Sequence, residues 1–232
     1  MRSKKIVVFT GAGISADSGI KTFRDADGLW ENHRIEDVAT PEAWQRNREL
    51  VLKFYNERRK QLKQVEPNAM HLFIADLDKK HEVKVITQNV DNLHERAGSK
   101  HVLHLHGELI KARSTVNPNL VYTLKKDTIE LGDKCELNSQ LRPHIVWFGE
   151  EVPEMEKAYE LTEYADLFIV IGTSLNVYPA ANLLTTVSAY TPKVLVDPGT
   201  FNLDYVNNLK HIKSKAAEGV SALQEAIELF LK

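Results

Sequence analysis

Cysteine is almost absent from this chain. Cys135 stands alone, so no disulfide can form within it, which fits a reducing compartment. Charge of one sign is not in excess either: 30 Lys and Arg face 32 Asp and Glu, a formal net charge of -2. A chain built to hold bare nucleic acid usually presents a basic surface, so that class of function is disfavoured. Long apolar runs are missing. No window approaches the ~20 apolar residues of a membrane helix. The basic start, Met1 to Lys5, runs into a short apolar stretch that Gly11 soon interrupts, unlike a signal peptide. The expectation is a cytoplasmic protein, acting as a monomer, with no membrane and no direct nucleic-acid partner. With 232 residues, 43% of them hydrophobic, the chain can bury one good core, or one main domain with a smaller insert.

Four short β-branched runs are present: Ile6 to Phe9, Val83 to Ile86, Leu167 to Ile171 and Val194 to Val196. Each is continuous rather than alternating, as in strands covered on both faces of a parallel sheet. Helical patterns lie between them, around Leu72 to Leu77, Glu154 to Tyr164 and Ala180 to Tyr190, with an amphipathic tail from Val220 to Leu231. This alternation predicts an α/β, doubly wound, mostly parallel Rossmann-like sheet. Two stretches break the pattern: a charged helical segment around Leu50 to Leu62, and a polar stretch with turns at Asn117-Pro118-Asn119 and Gly132-Asp133. They are read as insertions forming a second, smaller lobe. The expected division of this single catalytic domain is a Rossmann-like lobe over approximately 1–30, 69–110 and 143–232, and a small lobe over 31–68 and 111–142.

Ligands of such sheets lie beyond the carboxyl ends of the strands, so the loops there carry the information. After the first strand comes Gly11-Ala12-Gly13-Ile14-Ser15-Ala16, a G-x-G-x-x-A match to the dinucleotide pattern. Alone it reads equally as a tight strand-to-helix turn. No second strand with its acid follows ~20 residues on, which disfavours an ordinary nicotinamide dehydrogenase. After the second strand comes Thr87-Gln88-Asn89-Val90-Asp91-Asn92. One polar residue suffices to cap the next helix, and the surplus suggests a binding loop. His101, His104 and His106 alternate in an extended segment, as a metal site or a general base would require, although His101 reads as a surface residue. Without nearby cysteine or an H-E-x-x-H helix, zinc is disfavoured. Gly172-Thr173-Ser174, after the third strand, suits a helix cap as well as a phosphate or ribose contact.

The set as a whole resembles the sirtuin family. The matches are GAGIS at 11–15, Phe23-Arg24, QNVD at 88–91, HLHGE at 104–108, VWFGE at 146–150 and GTS at 172–174, in the family's order along nearly the whole chain. The resemblance implies NAD as cofactor and acyl-lysine proteins or peptides as substrates, bound in a cleft between two lobes. It implies His106 as the catalytic base, with Asn89 and Asp91 holding ribose and nicotinamide. Gly11, Ala12, Gly13, Ser15, Phe23, Arg24, Gln88 and Val90 match the cofactor loops. Gly172 and Ser174 match the adenosine side, and Thr173, Asp197 and Ala216 are expected to join the cofactor-binding residues. Val146, Phe148, Gly149 and Glu150 match a strand that pairs with substrate backbone, and Val177 is expected among the substrate-binding residues. Tyr55 and Arg58, three apart on one helix face, match the Y-x-x-R pair that grips acyl carboxylates in relatives removing succinyl or malonyl groups, and Ala26 leaves that pocket wide. Arg59 and Lys60 are read as a solvated charged face.

Two departures stand out. The family's four zinc-binding cysteines are reduced to Cys135, with Ser114 and its neighbours in place of the first pair. One thiolate cannot make a tetrahedral zinc site, so no metal is expected, and the lobe is expected to be held by Leu120, Tyr122, Leu131 and Leu137. Asp197 stands where an asparagine is common. The alternative functions are NAD-dependent ADP-ribosyl transfer to protein and a non-catalytic NAD-binding sensor or scaffold.

Overall fold

The computed structural model describes residues 3–21, 29–30, 33–173, 175 and 178–231. Phe23, Arg24, Ala26, Ser174 and Val177 therefore lie outside the described residues.

The first strand, β1 (Lys5–Thr10), leads into a single-turn helix, α1 (Gly13–Ala16). A short antiparallel pair follows, β2 (Leu29–Trp30) with β3 (His33–Arg34), then helices α2 (Ile35–Val38), α3 (Pro41–Arg46), α4 (Arg48–Leu62) and α5 (Ala69–Leu77). The chain continues through β4 (Glu82–Thr87), α6 (Leu93–Ala97), β5 (Val102–His104), β6 (Gly107–Ser114), β7 (Val121–Thr123) and β8 (Leu141–Ile145). It ends with α7 (Met155–Glu163), β9 (Leu167–Ile171), a 3-10 turn at Ala180–Asn182, α8 (Leu183–Thr186), β10 (Lys193–Val196), β11 (Leu209–Ile212) and α9 (Val220–Phe230).

Six strands form one parallel sheet in the order β11-β10-β9-β1-β4-β5. Renumbered within the sheet this is 3-2-1-4-5-6, with the direction of winding reversing beside β1, which is where such sheets bind ligands. The continuous apolar runs follow from double coverage. Ile6 and Val8 pack with Met70, Ile74, Leu223 and Ile227, under α5 and α9. Val7 and Phe9 point the other way, to Ala158, Leu183 and Leu184, under α7 and α8. Alternate residues of one strand thus serve two cores.

The second unit packs α4 against a three-stranded antiparallel sheet, β7-β6-β8. Asn47 caps α4 by accepting the Leu50 N–H at 3.0 Å. Val51, Leu52, Phe54, Tyr55 and Leu62 then face Leu109, Ala112, Ile129, Ile145 and Trp147.

Several expectations need correction here. The stretch read as a helix from Ala180 to Tyr190 shrinks to the 3-10 turn and α8, which stops where Val187 turns extended at φ -66° and ψ 139°. The polar stretch from 111 onward contributes β6 and β7. Leu131 and Leu137 do not hold this lobe: they are half-exposed, and Ile129, Leu124 and Leu141 pack instead. Arg59 is not solvated. It is buried, its Nε donating to Leu109 O at 2.6 Å and its Nη1 to Asn56 Oδ1 at 2.8 Å. Burial lowers its guanidinium to about 10.

Candidate active site

The carboxyl ends of β1, β4, β9 and β10 open into a cavity of about 1140 Å³ that continues to the second lobe. Its lining includes Ala12, Gly13 and Ser15 after β1, Gln88 to Asp91 after β4, and Gly172 and Thr173 after β9. Asp197 and Ala216 line it at the far side, with Lys215 beside them. His106, Val146 to Glu150 and Tyr55 line it from the second lobe and its junction.

The glycines do less for a ligand than their pattern suggests. A Cβ on Gly13 would lie 2.6 Å from Gly172 Cα, and Gly172 itself has φ +62°. The two loops touch backbone to backbone, tied by Gly11 N–H to Ile171 O at 3.0 Å and Gly13 N–H to Gly172 O at 2.7 Å. Only glycine permits that approach. Gly107 is a similar case: its Cβ would meet His144 O at 2.0 Å, so β8 claims the space, not a ligand.

Polar side chains on the floor form one network. Ser15 Oγ donates to Asp91 Oδ2 at 3.0 Å and accepts Asn89 Nδ2–H at 3.1 Å. Asp91 Oδ1 accepts Leu93 N–H at 3.1 Å, so the modest reading, helping to start the next helix, is also true of Asp91. Burial pushes the Asp91 carboxyl up from its ordinary value, opposed by these two hydrogen bonds.

Two histidines hang from consecutive carbonyls of this loop. His104 Nδ1 donates to Asn89 O at 2.9 Å, and His106 Nδ1 to Gln88 O at 3.0 Å. A carbonyl only accepts, so Nδ1 carries a proton in both rings. They then differ. His104 Nε2 meets Glu95 Oε1 at 2.8 Å. Burial pushes its pKa down, but the Glu95 hydrogen bond and charge outweigh that and raise it. His106 has no carboxylate, so burial lowers its pKa and the Gln88 carbonyl offsets only part. His106 is thus a neutral ring with a bare Nε2, the form a general base needs. His101 is exposed.

In the second lobe, Tyr55 is fully buried, and its hydroxyl accepts Trp147 Nε1–H at 3.0 Å. Burial keeps that hydroxyl protonated far above its usual range. Arg58 is half-buried, its guanidinium 5.6 Å from the Phe54 ring centre, and it is not among the described residues lining the cavity. Residues 146–150 do not form a strand; β8 ends at Ile145. The N–H groups of Val146, Phe148 and Glu150 are already taken by the carbonyls of His106, Ala39 and Trp147. Glu150 is occupied by its own lobe. It accepts Arg142 at 2.7 and 3.1 Å, Arg113 at 3.1 Å and Trp147 N–H at 2.8 Å. Sequence reasoning missed Trp147 and Arg142, although Trp147 sits inside the VWFGE motif.

Asp197 is buried and accepts Gly199 N–H at 2.8 Å through Oδ1. Among the described residues, no three His, Cys, Asp or Glu side chains gather closely enough to hold a metal ion. Cys135 Sγ instead lies 3.3 Å from both Ser114 Oγ and Ser139 Oγ, and Ser114 Oγ also accepts the N–H groups of Val116 and Asn117 at 3.2 Å.

Residues 11–179 match the model of the Sir2 family. The chain is 52% identical over 229 residues to an NAD-dependent protein deacylase of Bacteroides thetaiotaomicron, covering 97% of this chain and 98% of that one. It is 52% identical over 220 residues to an NAD-dependent protein deacylase of Helicobacter pylori, covering 95% and 96%. Among solved structures, a Sir2 homologue in complex with NAD superposes with a TM-score of 0.86 at 38% identity, covering 100% of this chain and 92% of that one.

Proposed function

The chain belongs to the Sir2 family, and from that premise we propose that it removes acyl groups from protein lysines with NAD as co-substrate, taking succinyl and malonyl groups as well as acetyl. The observation that carries the catalytic reading is the bare Nε2 of His106, with Nδ1–H fixed on Gln88 O, in the cavity that also holds Asn89 and Asp91.

The donor set suits NAD. Asp91 and Asp197 are buried carboxylates that accept from hydroxyl or amide groups, and Asn89 adds an amide. Lys21 and Lys215 bring positive charge to the lining for the pyrophosphate. The volume accommodates a dinucleotide with part of a peptide. When bound, NAD supplies a ribose carbon that becomes electrophilic as nicotinamide leaves, and the acyl oxygen adds there. The chain's own residues do the rest. The loop from Gln88 to Asp91 orients the nicotinamide ribose. His106 Nε2 receives a ribose hydroxyl proton, becoming an imidazolium that Gln88 O holds in place. The apolar walls of the second lobe exclude water.

The acyl reading rests on Tyr55. It lines the cavity, its hydroxyl accepts from Trp147 and is kept protonated by burial, and a phenol hydroxyl is a suitable donor to a carboxylate. Arg58, one helical turn on, would add charge. Absence of structural zinc is part of the proposal, supported by the serine shell around Cys135. So is the division into two lobes, supported by the separate antiparallel sheet β7-β6-β8 beside the parallel one.

The test is His106→Ala. Nicotinamide release with an acyl peptide should fall by ~10²–10⁴, the usual loss of a general base, while NAD still binds. Turnover near that of the parent would remove His106 from the role.

A further inference from the structure

Beneath the cofactor loop lies a buried hydrogen-bond chain that the mechanism above does not use. Thr10 and Thr87 end β1 and β4, are register partners, and are fully buried. Thr10 Oγ1 donates to Thr87 Oγ1 at 2.8 Å. Thr87 Oγ1 also accepts Asn89 N–H at 3.0 Å. His94 Nε2, from α6, lies 3.0 Å from Thr10 Oγ1.

Proton counting fixes the roles. Thr10 has one hydroxyl proton, and Thr87 receives it. Thr10 can therefore only accept from His94, so the His94 ring carries its proton on Nε2. Its Nδ1 is buried and has no hydrogen-bond partner. A second proton would have to sit there, against the ring of His71, whose centre is 4.9 Å away. Burial drives both rings toward the neutral form. His71 Nδ1 is itself engaged, accepting Asn68 N–H at 3.4 Å.

We propose that His94 is a positioning residue for the deacylation reaction: as a neutral Nε2–H donor it orients Thr10 and Thr87, and through them fixes the main chain of Asn89. The inference rests on the NAD-dependent reading of the cavity. Asn89 is otherwise held by its carbonyl on His104 and its side chain on Ser15. The His94 chain fixes the remaining polar group, its N–H. Each link polarises the next, so the chain is stiffer than one hydrogen bond. Loss of the donor frees the Thr10 hydroxyl to turn, and Thr87 then no longer presents one fixed lone pair to Asn89.

The test uses the full chain with NAD and an acetyl-lysine peptide. His94→Phe keeps a ring beside His71 and removes the donor. One buried hydrogen bond sets the scale, so kcat should fall roughly 3- to 10-fold. The dissociation constant for NAD should stay within about threefold, because the variant acts after binding. His94→Gln returns an N–H near the Nε2 position and should recover most of the loss. Thr10→Val, nearly isosteric, should match His94→Phe, and the double variant should cost little more than either alone. In the parent, nitrogen-15 NMR should show His94 neutral with its proton on Nε2 at pH 7. An unchanged kcat in Thr10→Val, additive losses, a His94→Gln as poor as His94→Phe, or a proton on Nδ1 would each overturn the proposal. Where His94→Phe fails to fold, Thr10→Val and the NMR assignment decide it. A parent without NAD-dependent deacylation would remove the function itself and the proposal with it, a result distinct from an active parent indifferent to these variants.

Discussion

Replacing Glu150 by alanine should destabilise the protein more than it alters substrate contact. The carboxylate, 21% exposed, is the centre of a cluster: Arg142 and Arg113 each reach both oxygens, and Trp147 N–H adds a fifth contact. Arg142 is 10% exposed and lies with its guanidinium carbon 3.3 Å from the centre of the Trp147 ring, so it cannot simply swing into water. Removing one partner of such a buried pair costs ~3–5 kcal/mol, because the remaining charge is stranded. With Glu150 partly wet, the lower end applies, about 3 kcal/mol. For a chain of this size 1 kcal/mol moves Tm by roughly 2–4 °C, so Glu150→Ala should melt roughly 6–12 °C below the parent. Pairing it with Arg142→Met should cost less than the two singles summed. The pH dependence has a definite sign. Burial alone would raise the Glu150 carboxyl, but hydrogen bonding and charge from Arg142, Trp147 N–H and Arg113 outweigh it and hold the group below its ordinary value. Its contribution is therefore complete above the unfolded carboxylate pKa of ~4.3 and is lost as pH falls through the lower folded value. The gap between parent and variant should stay constant near neutrality and close only in acid. Thermal melting followed by circular dichroism across that range is the assay. A Tm within about 2 °C of the parent, with activity lost, would refute the reasoning and make Glu150 a substrate contact.

Arg58→Met should depress desuccinylation by about 10- to 150-fold, the loss of a charge-assisted hydrogen bond, and leave deacetylation within a few-fold. Equal losses for both acyl groups, read from kcat/KM on matched peptides, would make Arg58 structural. The protein should purify without stoichiometric zinc and keep its Tm in a chelator, since the Cys135 thiol is hydrogen-bonded to the Ser114 and Ser139 hydroxyls. One tightly held zinc per chain by elemental analysis would contradict this.

The central sheet was legible because burial on both faces leaves an unmistakable signature. Ile6 to Phe9 must be apolar at every position when alternate residues serve different cores. Edge strands lack that demand. Leu209–Ile212 at β11 is only part-buried, so its sequence carries no comparable run. The small sheet was harder still. Polar residues such as Arg113 and Arg142 sit within β6 and β8 because their partner, Glu150, comes from a loop. A hydropathy pattern cannot show such a pairing. Arg59 was misread for the same reason: its acceptors, Leu109 O and Asn56, are brought to it only by the fold. In the cavity, motif order pointed to the loops. The division of labour between His104 and His106 needed coordinates, because it turns on the single contact with Glu95.

The central claim is most directly tested by mass spectrometry of the products formed from NAD with acetyl-lysine, succinyl-lysine and unmodified peptides. The account predicts free nicotinamide, deacylated peptide and O-acyl-ADP-ribose with both acylated peptides, and no NAD consumption with the unmodified one. Peptide that gains ADP-ribose while keeping its acyl group, or NAD left intact in all three reactions, would contradict it.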